Sequence, residues 1–88
     1  MANRKFIYSA IAHEQLTEWI RQNPKIAIKI MDLVEEISKT PFVGKGKPEP
    51  LKHNLKGTWS RRIDAEHRLI YLVTETTIDI VSCKYHYS

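Results

Sequence analysis

Apolar residues recur along the first half of this chain with a helical period. Ala12, Leu16, Trp19 and Ile20 stand at i, i+4, i+7 and i+8, and Ile26, Ile30, Leu33, Val34 and Ile37 form a second stripe. Such spacing lines one face of an α-helix, so two amphipathic helices are predicted. Ser9 is placed to cap the first helix. Asn23-Pro24 ends that helix and starts the second, with Asn as cap and Pro at the first helical position, and Thr40-Pro41 stops the second. So short a connection predicts an antiparallel helical hairpin. Ahead of it, Lys5-Phe6-Ile7-Tyr8 is β-prone and long enough for one strand. Three further strands are predicted at Thr58–Asp64, His67–Thr74 and Thr77–Tyr85, separated by Ala65-Glu66 and Glu75-Thr76. Short turns dictate antiparallel neighbours. The expected fold is therefore α+β, a single domain over residues 1–88. An N-terminal strand and a two-helix hairpin pack on a small, mainly antiparallel β-sheet whose other face stays partly open.

The stretch from Phe42 to Lys56 has almost no periodicity and contains Gly44, Gly46, Pro48, Pro50 and Asn54. It reads as a long loop, and loops of that length in compact domains are usually functional. Charge sharpens the point. Seven Lys and Arg against three acids fall between Gly44 and Arg68, a surplus equal to the formal charge of +4 on all 88 residues. A basic balance favours anionic partners. The one cysteine, Cys83, cannot form an internal disulfide and reads as a small core residue in a reducing, cytoplasmic setting. No apolar run approaches the ~20 residues that span a bilayer, and the N-terminal segment, soon interrupted by His13 and Glu14, does not read as a secretory leader. Cys83, His53, His67 and His86 match no common zinc spacing, and no phosphate-binding glycine motif occurs, so neither metal nor cofactor is expected.

A cationic surface with one acid, one histidine and aromatic rings suits RNA cleavage by the neighbouring 2′-OH. A base takes the hydroxyl proton, cations stabilise the phosphorane, and an acid protonates the departing 5′-oxygen. Glu49 is the candidate base, restricted by Pro48 and Pro50. Lys47 and Lys52 are near enough in sequence to keep it charged and to contact phosphate. Strand alternation puts Trp59, Arg61 and Ile63 on one face and Ser60, Arg62 and Asp64 on the other. With Ile63 toward the core, Arg62 points away to a phosphate site, joined across the turn by Arg68, while Arg61 has to snorkel from an edge to bind substrate beside them. The alternative for these arginines is pairing with Asp64, Glu66 or Asp79. His13, His53 and His67 read as surface histidines. His86 differs, ending the last strand between Tyr85 and Tyr87, where an imidazole can act as acid and Tyr87 can stack on a base.

The run TPFVGKGKPEPLKHNLKGTWSRRIDAEHRLIYLV, with the terminal CKYHY, closely resembles the YoeB toxins of the RelE/ParE superfamily. The resemblance covers almost the whole chain. It implies a ribosome-dependent mRNA interferase, neutralised by a YefM-like antitoxin, with helices against a small antiparallel sheet. By analogy Glu49 is the base, His86 the acid and Arg68 the group that stabilises the transition state, while Arg62, Lys52 and Tyr87 support and orient the RNA. The implied partners are mRNA, the ribosome at its A site together with the rRNA there, the antitoxin, a second copy in a homodimer, and operator DNA for the antitoxin complex. Ser88, beyond the usual terminal tyrosine, is a departure. Two other readings stay open: a non-catalytic toxin of the same fold that blocks a protein such as DNA gyrase, and a plain RNA-binding module.

Overall fold

The computed structural model describes residues 4–85. Strand β1 (Lys5–Tyr8) leads into helices α1 (Ala10–Gln22) and α2 (Pro24–Lys39). Ser9 Oγ accepts from the Ala12 N–H at 2.9 Å, the expected cap, and its hydroxyl donates to the Val81 carbonyl at 2.7 Å. That second bond ties the start of the helix to the sheet. Pro24 opens α2 as anticipated, but Asn23 makes no side-chain cap; its backbone N–H closes α1 on the Trp19 carbonyl instead. Both apolar stripes face inward except at Ile20, which is exposed. One residue on, it stands about 100° around the helix from Trp19, and Trp19 takes the core position.

The sheet has five strands in the order β1-β5-β4-β3-β2, where β2 is Glu49–Pro50, β3 Trp59–Arg62, β4 Arg68–Val73 and β5 Thr77–Ser82. The antiparallel meander β3-β4-β5 matches the expectation. Strand β1 joins its edge parallel to β5, with Phe6 opposite Ile78 and Tyr8 opposite Ile80. On the other edge, β2 sets Glu49 opposite Ser60 and Pro50 opposite Trp59. The segment expected to be loop throughout thus contains a two-residue strand and a 3-10 turn at His53–Leu55. The last strand ends at Ser82 rather than Tyr85.

Directly opposed residues share a face. Leu69 and Tyr71 lie in the helix-side core, so their partners Arg61 and Trp59 point to the helices too. Glu49, Ser60, Arg62, Arg68 and Ile70 therefore lie on the face away from them. Ile70 pairs with Ser82 while Tyr71 pairs with Ile80, which makes Val81 the extra residue of a bulge. The bulge shifts the alternation by one. Ser82 stays on the far face with Ile70, and Cys83 returns to the core. Among the described residues no helix is long and apolar enough to cross a membrane.

Candidate active site

The 40–47 segment is built around one side chain. Arg61 is 0% exposed, and each of its five N–H groups has an acceptor. Nε donates to the Tyr71 hydroxyl (3.2 Å), Nη1 to Glu36 Oε2 (3.2 Å) and the Lys45 carbonyl (3.1 Å), and Nη2 to the carbonyls of Thr40 (2.6 Å) and Val43 (3.0 Å). Tyr71 donates its own hydroxyl proton to the Pro41 carbonyl at 2.7 Å, and Glu36 also accepts from the Lys45 N–H. Burial pushes the Tyr71 phenol up, against the pull of the Arg61 charge. This arrangement corrects the expectation that Arg61 snorkels outward and binds substrate. Alternation points it inward, and a buried guanidinium is tolerable only when it is fully bonded. Gly46, at φ 84°, lets its carbonyl take the Arg62 N–H at 2.6 Å; a Cβ there would sit 3.0 Å from Arg61 Cβ and the Arg62 oxygen.

Anchored in this way, the segment delivers Glu49 to the edge of the far face. Arg62 and Arg68 are directly opposed across β3 and β4, with Glu49 on β2 diagonal to Arg62. Opposed Cβ atoms are about 5 Å apart and diagonal ones about 7–8 Å, a span that the sugar and phosphate of one phosphodiester linkage can bridge. Arg68 is held by Nη1 bonds to the carbonyls of Asp64 (2.9 Å) and His67 (3.1 Å) rather than by a carboxylate. Among the described residues no ion pair engages Lys47, Glu49, Lys52, Arg62 or Arg68. Glu49, Lys47, Lys52 and Arg62 are at the surface, with Lys47 in a left-handed conformation at φ 50°. Their charges are thus open to a ligand.

Two concavities flank this face. A cleft of about 240 Å³ is lined by Leu55, Ile70, Ser82, Lys84 and Tyr85 among others. A groove of about 890 Å³ runs between α2 and the 45–47 and 62–65 segments. Asp32, Glu35, Glu36 and Asp64 line that groove beside four lysines and Arg62, and neither Glu49 nor Arg68 does, so it is the poorer phosphate site despite its size.

The chain after β5 is tied down by side chains. Trp19 Nε1 donates to the Cys83 carbonyl at 2.9 Å, and the Cys83 N–H donates to Gln15 Oε1 at 2.7 Å. Burial pushes the Cys83 thiol up to about 11, with Lys84 opposing, which leaves it a packing group and no nucleophile. Tyr85 donates its N–H to His67 Nδ1 at 2.7 Å and accepts at its carbonyl from the Arg68 N–H at 3.1 Å. His67 is only 8% exposed, which corrects its reading as a surface histidine. The residue gave no periodic signal of its own; the hint was Asp64, whose carboxylate accepts from the Glu66 and His67 N–H groups and turns His67 inward. His86 and Tyr87 lie outside the described residues.

A family model described as "YoeB-like toxin of bacterial type II toxin-antitoxin system" matches residues 8–87. Toxin YoeB of Escherichia coli strain K12 is 49% identical over 83 residues, 94% of this chain and 99% of that one. A solved YoeB dimer from Staphylococcus aureus superposes with a TM-score of 0.91 at 42% identity, covering 98% of this chain and all of that one. A YoeB–YefM complex from the same organism gives 0.88 at 44% identity with the same coverage. On this near-full-length agreement in sequence and fold, the chain belongs to the YoeB-like toxins of bacterial type II toxin–antitoxin systems.

Proposed function

We propose that this toxin is a ribosome-dependent endoribonuclease that cuts mRNA in the A site and so halts translation in the cytoplasm. The observation that carries the reading is the sheet register, which sets Arg62 opposite Arg68 and Glu49 diagonal to Arg62 on the face away from the helices. Glu49 takes the proton of a 2′-OH, whose oxygen attacks the adjacent phosphorus. Arg68 stabilises the charge that collects on the phosphorane oxygens, worth about 10²–10³ in rate for a well-placed donor. The P–O5′ bond breaks, and His86 gives its proton to the departing oxygen. Products are a 2′,3′-cyclic phosphate and a 5′-hydroxyl. Arg62, Lys47 and Lys52 hold the phosphate backbone, and Tyr87 stacks on a base. Arg61 is left out of this set because its guanidinium is enclosed.

The same cationic face is the proposed seat of a YefM-type antitoxin, through an acidic segment that folds on binding, and the toxin is proposed to act as a homodimer. Those partners are named for the Staphylococcus aureus relatives. The test is in vitro translation with mapped mRNA ends. Wild type should leave discrete A-site cuts with 5′-hydroxyl ends, and Glu49→Ala and His86→Ala should each lose cleavage by about 10²-fold or more while still binding ribosomes. Ends bearing 5′-phosphate, or inhibition with intact mRNA from the wild type, would overturn it.

A further inference from the structure

The face away from the helices is not equally open along its length. Ile70 lies on that face, two residues along β4 from Arg68, and is nevertheless only 4% exposed. It belongs to the cleft of about 240 Å³, together with Leu55 from the 3-10 turn, Val81 and the Lys84-Tyr85 segment. Each of these walls is held by the backbone. The Leu55 N–H donates to the Lys52 carbonyl (3.2 Å), and the Leu55 carbonyl accepts from the Thr58 N–H (3.0 Å) and hydroxyl (2.6 Å). Val81 is the extra residue of the β4–β5 bulge, which turns it outward. Tyr85 adopts φ 69°, a left-handed conformation that a tyrosine rarely takes unless its surroundings hold it there. His67 Nδ1 takes its N–H and the Arg68 N–H takes its carbonyl. The residue is 62% exposed all the same, so its ring keeps an open face.

The lining is selective. Leu55, Ile70 and Val81 are aliphatic, and no carboxylate borders the cleft among the described residues. Two polar groups there have hydrogen-bonding capacity to spare. Gln15 spends its carbonyl oxygen on the Cys83 N–H at 2.7 Å, which leaves the amide NH2 to donate. The Ser82 hydroxyl has no partner among the described residues. Pockets for drug-sized ligands hold about 300–1,000 Å³, so this smaller cleft suits a single ring system. A flat, largely apolar ring with acceptors on its edge matches such a lining, whereas an aliphatic side chain would leave Gln15 and Ser82 without a partner. Two strand residues span about 7 Å, which puts the cleft within one nucleotide's reach of Arg68.

We propose that the cleft is a nucleobase subsite: it takes the base of a nucleotide adjoining the linkage held at Arg68, stacked on Tyr85 and walled by Leu55, Ile70 and Val81, with Gln15 and Ser82 bonding the acceptors on its edge. The proposal deepens the RNA-binding part of the function given above and rests on it.

The catalytically dead Glu49→Ala toxin leaves mRNA whole, so base occupancy is read apart from cleavage. On ribosomes programmed with 2-aminopurine at each position of the A-site codon in turn, toxin binding should change the fluorescence at one position. An abasic nucleotide at that position should weaken toxin binding about tenfold, the scale of one lost base–aromatic stack. Adding Tyr85→Asn, which tolerates the left-handed backbone but removes the ring, should abolish both effects. Val81→Phe, which fills the cleft from an exposed wall, should abolish the abasic penalty, because no base then enters. Tyr85→Phe should keep both effects. Should Val81→Phe fail to fold, the Asn and Phe changes at Tyr85 decide. An abasic penalty that survives Tyr85→Asn would overturn the proposal. So would a loss of antitoxin binding from Tyr85→Asn with both RNA effects intact, which would make the cleft a protein-docking site. A wild type that binds ribosomes but cuts no mRNA would sink the cleavage reading alone, since neither effect requires a cut.

Discussion

Arg61 shows how far one side chain can be misjudged from its type. In sequence it is half of an Arg-Arg pair in a basic stretch, and phosphate contact is the natural inference for both. Strand alternation sends the two in opposite directions, and only the neighbours of the inward one reveal its job. Its five donors gather Glu36, Tyr71 and three carbonyls from the segment that leads to Glu49. Removing them strands a carboxylate and several carbonyls at once. Arg61→Met should therefore cost about 3–5 kcal/mol, the usual scale for breaking a buried ion pair, out of a total that for small domains is about 5–15 kcal/mol. Arg61→Lys should fall in between, since an ammonium offers three donors from a single point. Urea unfolding followed by tryptophan fluorescence reads both. A loss below about 1 kcal/mol for the Met variant would mean that the segment is held by something else. The identity of the residue was legible from the start; its environment depended on Glu36, Thr40 and Val43, 18 to 25 positions away.

Among the elements, both helices were readable because their apolar stripes span about two and three turns and the signals at Ser9, Pro24 and Pro41 agree with them. The meander was readable because its turns are short. Three features were not. Strand β2 is two residues long and contains Pro50, and its pairing is set by the Arg61 anchor rather than by propensity. The parallel docking of β1 on β5 joins residues about 70 positions apart, which no local pattern encodes. The bulge at Val81 shifts a two-residue period by one, and a single extra residue is invisible in so short a run. The β3–β4 turn is the element most open to a pH test. Slight burial works against ionisation of Asp64, but the N–H groups of His67 and Glu66, with the charge of Lys29, outweigh it and hold the carboxyl below its usual range. A folded-state pKa below the unfolded value, about 3.9, stabilises the protein fully above that value, and the contribution fades as pH falls through the folded one. Asp64→Asn should flatten the decline in melting temperature between pH 5 and pH 2.5 relative to wild type. Parallel declines for the two proteins would show that the carboxylate does not feel its turn.

Over the whole molecule, cations are sorted by what the fold does with them. Arg61 is enclosed and Lys84 pairs with Glu18, while Lys29, Lys39 and Lys45 share a groove with four carboxylates, a groove that Lys47 and Arg62 also border. Lys47, Lys52, Arg62 and Arg68 surround the Glu49 face with no carboxylate paired to them among the described residues. The net charge of +4 therefore understates the contrast between the two sides. If the four meet phosphates, each displaces counterions, and log affinity for a single-stranded ligand should fall with log salt at about 0.7 per contact, close to 3 in all. Ribosome binding by the catalytically dead Glu49→Ala toxin, measured from 50 to 300 mM salt, tests the sorting. Adding Lys52→Gln should lower the slope by about 0.7, whereas Lys29→Gln, on the mixed groove, should leave it unchanged. Equal reductions from the two changes would mean that net charge attracts the toxin and that the arrangement of the Glu49 face contributes no more than any other lysine. A drop confined to Lys52→Gln would assign the electrostatic contact to the face where Arg62 and Arg68 stand opposed, independently of any cleavage assay.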